Sequence, residues 1–249
     1  MRHSVLIVAS AFAAACAFPN HKASKVVELS LPAAAVERLQ CESHNGGITV
    51  NGDPAATDIG LRAELSVRGF SQEEADANLH LLEVGQETKD GTLRIFGKYP
   101  SGELLNRSPS FSFTLKVPQR MAVQLESHNG DIVADGVQGP AKLETHNGDI
   151  GGALRTGNLS ATTHNGDVTL RIAGDGALDG EVTSHNGDID LQLAEGLGTS
   201  LEASTHNGRV TPPSKLVDAS LSRRKLKCRI GDGKGRLVVD THNGDVLIR

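Results

Sequence analysis

One three-residue word, His-Asn-Gly, occurs seven times in this chain of 249 residues, and it limits the fold more than any other feature. Its histidines are His44, His128, His146, His164, His185, His206 and His242. Ser or Thr always precedes them, at Ser43, Ser127, Thr145, Thr163, Ser184, Thr205 and Thr241. Asp follows the glycine in five copies (Asp131, Asp149, Asp167, Asp188 and Asp245), whereas Gly47 and Arg209 stand there in the other two. An aliphatic residue comes next: Ile48, Ile132, Ile150, Val168, Ile189, Val210 and Val246. Successive histidines are 84, 18, 18, 21, 21 and 36 residues apart. A period of 18–21 residues marks a repeat architecture, in which each unit buries its apolar face only by stacking on its neighbours.

Around the word, apolar residues fall at every second place. Val123, Leu125 and Ser127 share one side of the chain, Glu126 and His128 the other, and Ile132 and Ala134 continue the first set downstream. Period two on both sides means strands. The pairs Asn45 and Gly46, Asn129 and Gly130, Asn147 and Gly148, Asn165 and Gly166, Asn186 and Gly187, Asn207 and Gly208, and Asn243 and Gly244 are therefore read as structural turns. Glycine is expected there for left-handed backbone, which β-branched residues adopt only at a cost. Ser/Thr then forms an inward column, the aliphatics a core, and His and Asp an outward rim. Two architectures satisfy this pattern. In a β-solenoid, equivalent strands stack in parallel about 4.8 Å apart with an asparagine ladder at the corner. In an antiparallel meander, each Asn-Gly closes a two-residue type I′ hairpin. The near-identity of the units favours the solenoid, because stacking like on like rewards identical corners.

Residues 1–17 read as an export signal. Met1-Arg2-His3 is a short basic start, and the run from Ser4 to Ala17 is small, apolar and too short to span a membrane. Ala13-Ala14-Ala15-Cys16 resembles a lipoprotein box without the usual leucine, which would leave Cys16 lipidated. Ala15-Cys16-Ala17 equally allows ordinary cleavage before Phe18. The expected location is thus periplasm, outer-membrane lipoprotein or extracellular, with membrane contact only through an N-terminal lipid.

Residues 24–120 read as an N-terminal β region and cap, and 121–249 as the repeat solenoid. Strands are expected over Lys25–Leu31, Gly60–Val67, Thr92–Phe96 and Ser110–Val117. One short helix is expected from Ser71, where Ser71 and Glu74 form a capping-box pattern ahead of Ala75, Leu79 and Leu82. The cap would cover an end of the stack that is otherwise an open sheet edge. Leu226–Asp232 aligns with Leu143–Asp149 as a decayed copy of the word in the long gap before His242. Composition agrees with thin β layers: 38 % hydrophobic, 28 glycines, six Phe, one Tyr and no Trp. The net charge of −5, or −6 once Arg2 is removed with the signal, argues against a nucleic-acid partner.

The repeated Thr/Ser-His-Asn-Gly-Asp-Ile strands, the upstream Leu115-Lys116-Val117-Pro118 and the export signal together resemble the bacterial putative-adhesin repeat family, a domain of unknown function related to the auto-transporter adhesin head domain. The resemblance covers roughly 25–249 and is strongest over 115–249. It implies a right-handed, single-stranded β-helix, shaped like the pectate lyases but without their catalytic residues, and a role in adhesion. The uniform His before Asn-Gly departs from the family's looser small-residue pattern.

Ser/Thr, His and Asp within every unit superficially suggest a hydrolase. Alternation, however, sends the hydroxyl to the face opposite the His, so no nucleophile–base contact follows. A catalytic group is needed once, whereas a feature in seven units is one that every unit needs to fold; no enzyme activity and no cofactor are expected. Metal binding is the sharper alternative, with His128, His146, His164, His185 and His206 beside Asp131, Asp149, Asp167 and Asp188 as ligands. The rung spacing exceeds what ligand atoms around one Zn²⁺ require, so the rings would have to lean. The plainer reading has each His capping its corner. Protonating such a column would place like charges side by side and make the fold pH-responsive. The basic run Arg223, Arg224, Lys225, Lys227 and Arg229 either holds an anionic ligand or guards a strand edge. Cys41 and Cys228 would lie many rungs apart in a linear stack, which argues against a disulfide. The sequence thus reads as an exported, non-enzymatic β-solenoid that binds a cell-surface or envelope component, with a periplasmic metal- or pH-responsive protein as the alternative.

Overall fold

Apolar residues at every second place give strands that bury one face, and two sets of them close on each other. The computed structural model describes residues 19–100, 102, 107–214 and 217–249; the stretch 1–17 that the sequence analysis reads as an export signal, with Cys16, lies outside the described residues. In chain order the first strands are β1 (His21–Pro32), β2 (Arg38–Asn45), β3 (Ile48–Asp53) and β4 (Asp58–Gly69), followed by helix α1 (Gln72–His80). Then come β5 (Glu83–Lys89), β6 (Thr92–Lys98), β7 (Ser110–Pro118), β8 (Ala122–Asn129), β9 (Ile132–Asp135), β10 (Ala141–Asn147) and β11 (Ile150–Leu154). The chain continues through β12 (Asn158–Asn165), β13 (Val168–Ile172), the two-residue β14 (Gly176–Ala177), β15 (Asp179–Asn186), β16 (Ile189–Leu193) and β17 (Leu197–Asn207). It ends with β18 (Val210–Thr211), β19 (Val217–Leu221), β20 (Lys225–Ile230), β21 (Gly235–Asn243) and β22 (Val246–Ile248).

Every His-Asn-Gly joins a strand of one sheet to a strand of the other: β2 to β3, β8 to β9, β10 to β11, β12 to β13, β15 to β16, β17 to β18 and β21 to β22. Neighbouring rungs pair in parallel and in register, with Thr145 opposite both Ser127 and Thr163, and Asn147 opposite both Asn129 and Asn165. Strands on the two sides of an Asn-Gly pair therefore never hydrogen-bond to each other as a hairpin, and the meander is excluded. The core lies between the sheets. Ile48, Ile132, Ile150, Val168, Ile189, Val246 and Val210 are all at most 3 % exposed, stacked one per rung. Each such side chain contributes roughly 1.5–3 kcal/mol on burial.

Four features of the structure extend or correct the sequence reading. First, the sheets are mixed. Antiparallel β1 and β4 extend one sheet beyond β7, β5 pairs antiparallel with β6 at the same end of the other, and its far end is closed by β20, antiparallel to β17, and by β19, antiparallel to β20. Parallel, solenoid-like stacking is confined to the middle of the two sheets, so a single-stranded β-helix does not describe the whole fold. Second, the stretch between the first two copies of the word meets the open edges of the first rung by adding strands to both sheets, β7 and β4 beside β3 and β6 and β5 beside β2.

Third, Leu226–Ile230 is no decayed rung. As β20 it runs antiparallel to β17, with Cys228 opposite Leu201, whereas every rung is parallel. Fourth, the order in space differs from the order in sequence. β21 lies between β15 and β17, and β22 between β16 and β18. The final rung is thus inserted between two that follow each other in the chain. The connection 231–234 crosses the start of β17, where a Cβ on Gly231 would overlap the Leu197 carbonyl oxygen.

Helix α1 starts at Ser71, whose hydroxyl accepts the Glu74 N–H at 3.1 Å. Glu74 reaches one residue further back than a capping box does and accepts the Phe70 N–H at 2.8 Å; it also pairs with Arg107 at 2.6 Å. That N–H, followed by the guanidinium, holds the Glu74 carboxyl below its ordinary range. Ser71→Ala is expected to cost about 1 kcal/mol in urea denaturation, as N-cap losses do. Cys41 on β2 and Cys228 on β20 are free and buried. Seven strand-to-strand steps separate them, about 34 Å at the usual spacing, far beyond disulfide reach. Burial pushes both thiols upward, Cys41 furthest, with Glu42 adding to it.

A stacked histidine column beside an open trough

Each corner is held by three hydrogen-bond ladders. In the first, the buried hydroxyl before each His donates to the corner-glycine carbonyl of the adjacent rung: Thr145 to Gly130 at 3.0 Å, Thr163 to Gly148, Ser184 to Gly166 and Thr241 to Gly187 at 2.9 Å, Thr205 to Gly244 at 2.8 Å and Ser127 to Gly46 at 3.2 Å. Ser43, on the first rung, donates to the Phe111 carbonyl instead. In the second, the asparagines bond side chain to side chain: Asn129 to Asn45, Asn147 to Asn129, Asn165 to Asn147, Asn186 to Asn165, Asn243 to Asn186 and Asn207 to Asn243, all at 2.7–2.9 Å. In the third, each Asp carboxylate accepts the backbone N–H of the equivalent residue one rung on, from Asp131 through Asp149, Asp167, Asp188 and Asp245 to Arg209. Arg209 needs no carboxylate of its own because it lies on the last rung of the ladder. Asn165→Ala removes two ladder bonds at once and is expected to cost about 1 kcal/mol, the exposure of the ladder discounting the buried value; a thermal melt measures it.

The seven imidazoles stack along the outer edge of these corners. The order is His44, His128, His146, His164, His185, His242, His206, with ring centroids 4.8, 4.9, 4.7, 4.8, 4.9 and 4.6 Å apart. The sequence reading placed His206 next to His185; the inserted rung puts His242 between them. Three of the six pairs are within 6° of parallel and one more lies at 6°.

Asp131, Asp149, Asp167 and Asp188 share the corners with the column but are engaged by backbone N–H groups. Among the described residues no group of three or more His, Cys, Asp or Glu is arranged to hold a metal ion. The geometry explains why. Even a linear N–metal–N bridge spans only about 4.1 Å at zinc distances, less than the smallest centroid spacing in the stack, and parallel rings aim their nitrogens sideways instead of at each other. The Ser and Thr hydroxyls before the column histidines, at most 8 % exposed, are committed to carbonyls on the inner side and are turned away from the imidazoles.

Beside the column runs an open trough of about 860 Å³. Six of the seven histidines line it, with Glu42, Glu126, Glu144, Thr162, Thr183 and Asp240, which stand two residues before them on the same strand faces. Sequence reasoning missed its end wall. There Phe96, Tyr99 and Phe111 gather from β6, the following turn and β7, and the Arg94 guanidinium lies 4.7 Å over the Phe96 ring while pairing with Glu42 at 2.7 Å. Tyr99 stacks on Phe111 at 5.9 Å. Gly97 makes room for Phe111: a Cβ there would meet its ring. Chain-wide scarcity of aromatics hid the fact that these few converge on one place.

The basic run serves the end of the stack. Lys227 pairs with Glu202 at 2.8 Å and Arg229 with Asp218 at 2.9 Å. The Arg223 and Arg224 carbonyls accept the N–H groups of Val210 and Thr205, closing the backbone edge of the last rung.

The sequence matches the Toastrack DUF4097 family over residues 8–249. The chain belongs to that family. No curated protein matches it. Among solved structures, a putative cell adhesion protein from Clostridium sporogenes ATCC 15579 shares the fold, with a TM-score of 0.54 and 14 % identity over 91 % of this chain and 99 % of that one. A putative adhesin from Bacteroides fragilis NCTC 9343 aligns with a TM-score of 0.36 and 10 % identity, covering 90 % and 97 % of the two chains.

Proposed function

We propose that this Toastrack protein is an exported, non-enzymatic β-solenoid that binds a component of the cell envelope or cell surface. The trough carries the reading. It is a long, solvent-open surface built once per rung from outward side chains, a shape that suits recognition of an extended partner. The Clostridium sporogenes neighbour, described as a putative cell adhesion protein, supports the same role. Residues 1–17 serve as the export signal, with a lipid on Cys16 or cleavage before Phe18, and deliver the chain to the periplasm, the outer membrane or the exterior. Residues 24–120 form the end region together with the first rung, and 121–249 the repeats that continue the solenoid. The rungs coil right-handed, since a connection that returns to a parallel strand of the same sheet is right-handed in about 98 % of cases.

The test uses fluorescently labelled mature chain added to isolated envelopes and intact cells. Saturable binding, competed by unlabelled protein, is expected, and crosslinking then identifies what is bound. Binding that stays linear in concentration on every envelope fraction sinks the proposal.

A further inference from the structure

Resting on the reading that this face binds a surface component, we infer that the trough holds an extended, uncharged glycan chain, lying along the stack with hydroxyls on the carboxylates and imidazoles and a sugar face on the aromatic wall. Six rungs offer the same pair of groups at intervals of 4.7–4.9 Å. One is a ring nitrogen pair, donor and acceptor together when neutral; the other is a carboxylate or hydroxyl two residues earlier. Such a wall recognises a polymer of repeating polyol units. A compact ligand would use only one rung.

Other ligand classes fit less of the surface. Four carboxylates (Glu42, Glu126, Glu144 and Asp240) line the trough; Arg94 pairs with Glu42 and Lys142 with Glu144, which leaves the charges of Glu126 and Asp240 in excess. A polyanion is repelled by that excess. A polycation suits the carboxylates but leaves Thr162 and Thr183 in the middle of the trough without a partner. Only a polyol uses the acceptors, the hydroxyls and the half-exposed Phe96 and Tyr99, whose ring faces take the C–H side of a sugar as aromatic faces do at wet, amphipathic interfaces. Because the subsites repeat, each added sugar engages another without a new entropic cost of association, and affinity grows with chain length.

Calorimetry with linear neutral oligosaccharides (cello- and chito-oligosaccharides of two to six units), backed by an immobilised panel of linear neutral glycans, tests this at neutral pH. Alginate and polylysine serve as charged probes. At least one neutral series should tighten by about tenfold or more from disaccharide to hexasaccharide, with little change between low and physiological salt. Tyr99→Ala and the shape-conserving pair Glu126→Gln with Glu144→Gln should each weaken the hexasaccharide by about tenfold, through the loss of a stacking face or of charged acceptors for sugar hydroxyls. The Gln pair should melt as the wild type does, so its effect reports binding and not folding. Tighter binding of alginate with a steep loss in salt overturns the inference, as does preference for polylysine. Envelope binding that persists while every neutral glycan fails overturns the ligand class and leaves the surface-binding role standing; failure of both removes both.

Discussion

Gly148→Val lowers the melting temperature by about 10 °C, a loss of about 3 kcal/mol, whereas Gly151→Val, three residues along the same rung, changes it little. The two glycines differ in what lies beyond them. A Cβ on Gly148 would overlap the carbonyl oxygen of Gly130 on the adjacent rung, and the same overlap recurs from Gly130 on Gly46 to Gly208 on Gly244. That oxygen also accepts the Thr145 hydroxyl, so moving it aside breaks a ladder bond. Gly151 has only the Thr169 carbonyl oxygen near its missing Cβ, at an ordinary 3.8 Å, and its strand position suits a β-branched residue. Backbone strain does not explain the contrast, since neither glycine is in the left-handed region; of the corner glycines only Gly46, at φ +123°, lies well inside it. Paired thermal melts decide the matter. Equal losses at both positions would mean that the corner tolerates a side chain and that valine acts through the strand alone.

This contrast shows where reading the sequence succeeded and where it fell short. Alternation at Val123, Leu125, Ile132 and Ala134 fixed the strands and their inward faces, because a two-residue period has one physical meaning in a half-buried sheet. Identity of the copies fixed the stacking, because the Asn147-to-Asn129 bond needs the same side chain on both rungs. The cause of the glycines was misjudged. Asn-Gly is a turn signal within one chain segment, but here the constraint comes from the next rung, which no local pattern encodes. The inserted final rung was hidden for a similar reason. Asn243 is equally suited to sit beside Asn186 or beyond Asn207, and the choice is made by the β19–β20 pair, which occupies the outer edge of β17 and leaves β21 the inner one. The trough's aromatic wall depends on Phe96, Tyr99 and Phe111 meeting across two sheets, a contact with no periodic signature.

Gly97→Val lowers the melting temperature by about 10 °C, a loss of about 3 kcal/mol. A Cβ on Gly97 would meet the ring of Phe111, which is 2 % exposed. That ring stacks on Tyr99 at 5.9 Å and on Phe113 at 6.4 Å, so it has no free side to turn toward. Enlarging a residue in such a site forces side chains off their rotamers and shifts the backbone. Gly60→Val is the control, because a Cβ there would meet only the Lys116 Cβ, at an ordinary 3.6 Å. Paired thermal melts compare the two. Equal, small losses would mean that Phe111 swings aside freely and that nothing holds the aromatic wall of the trough in place.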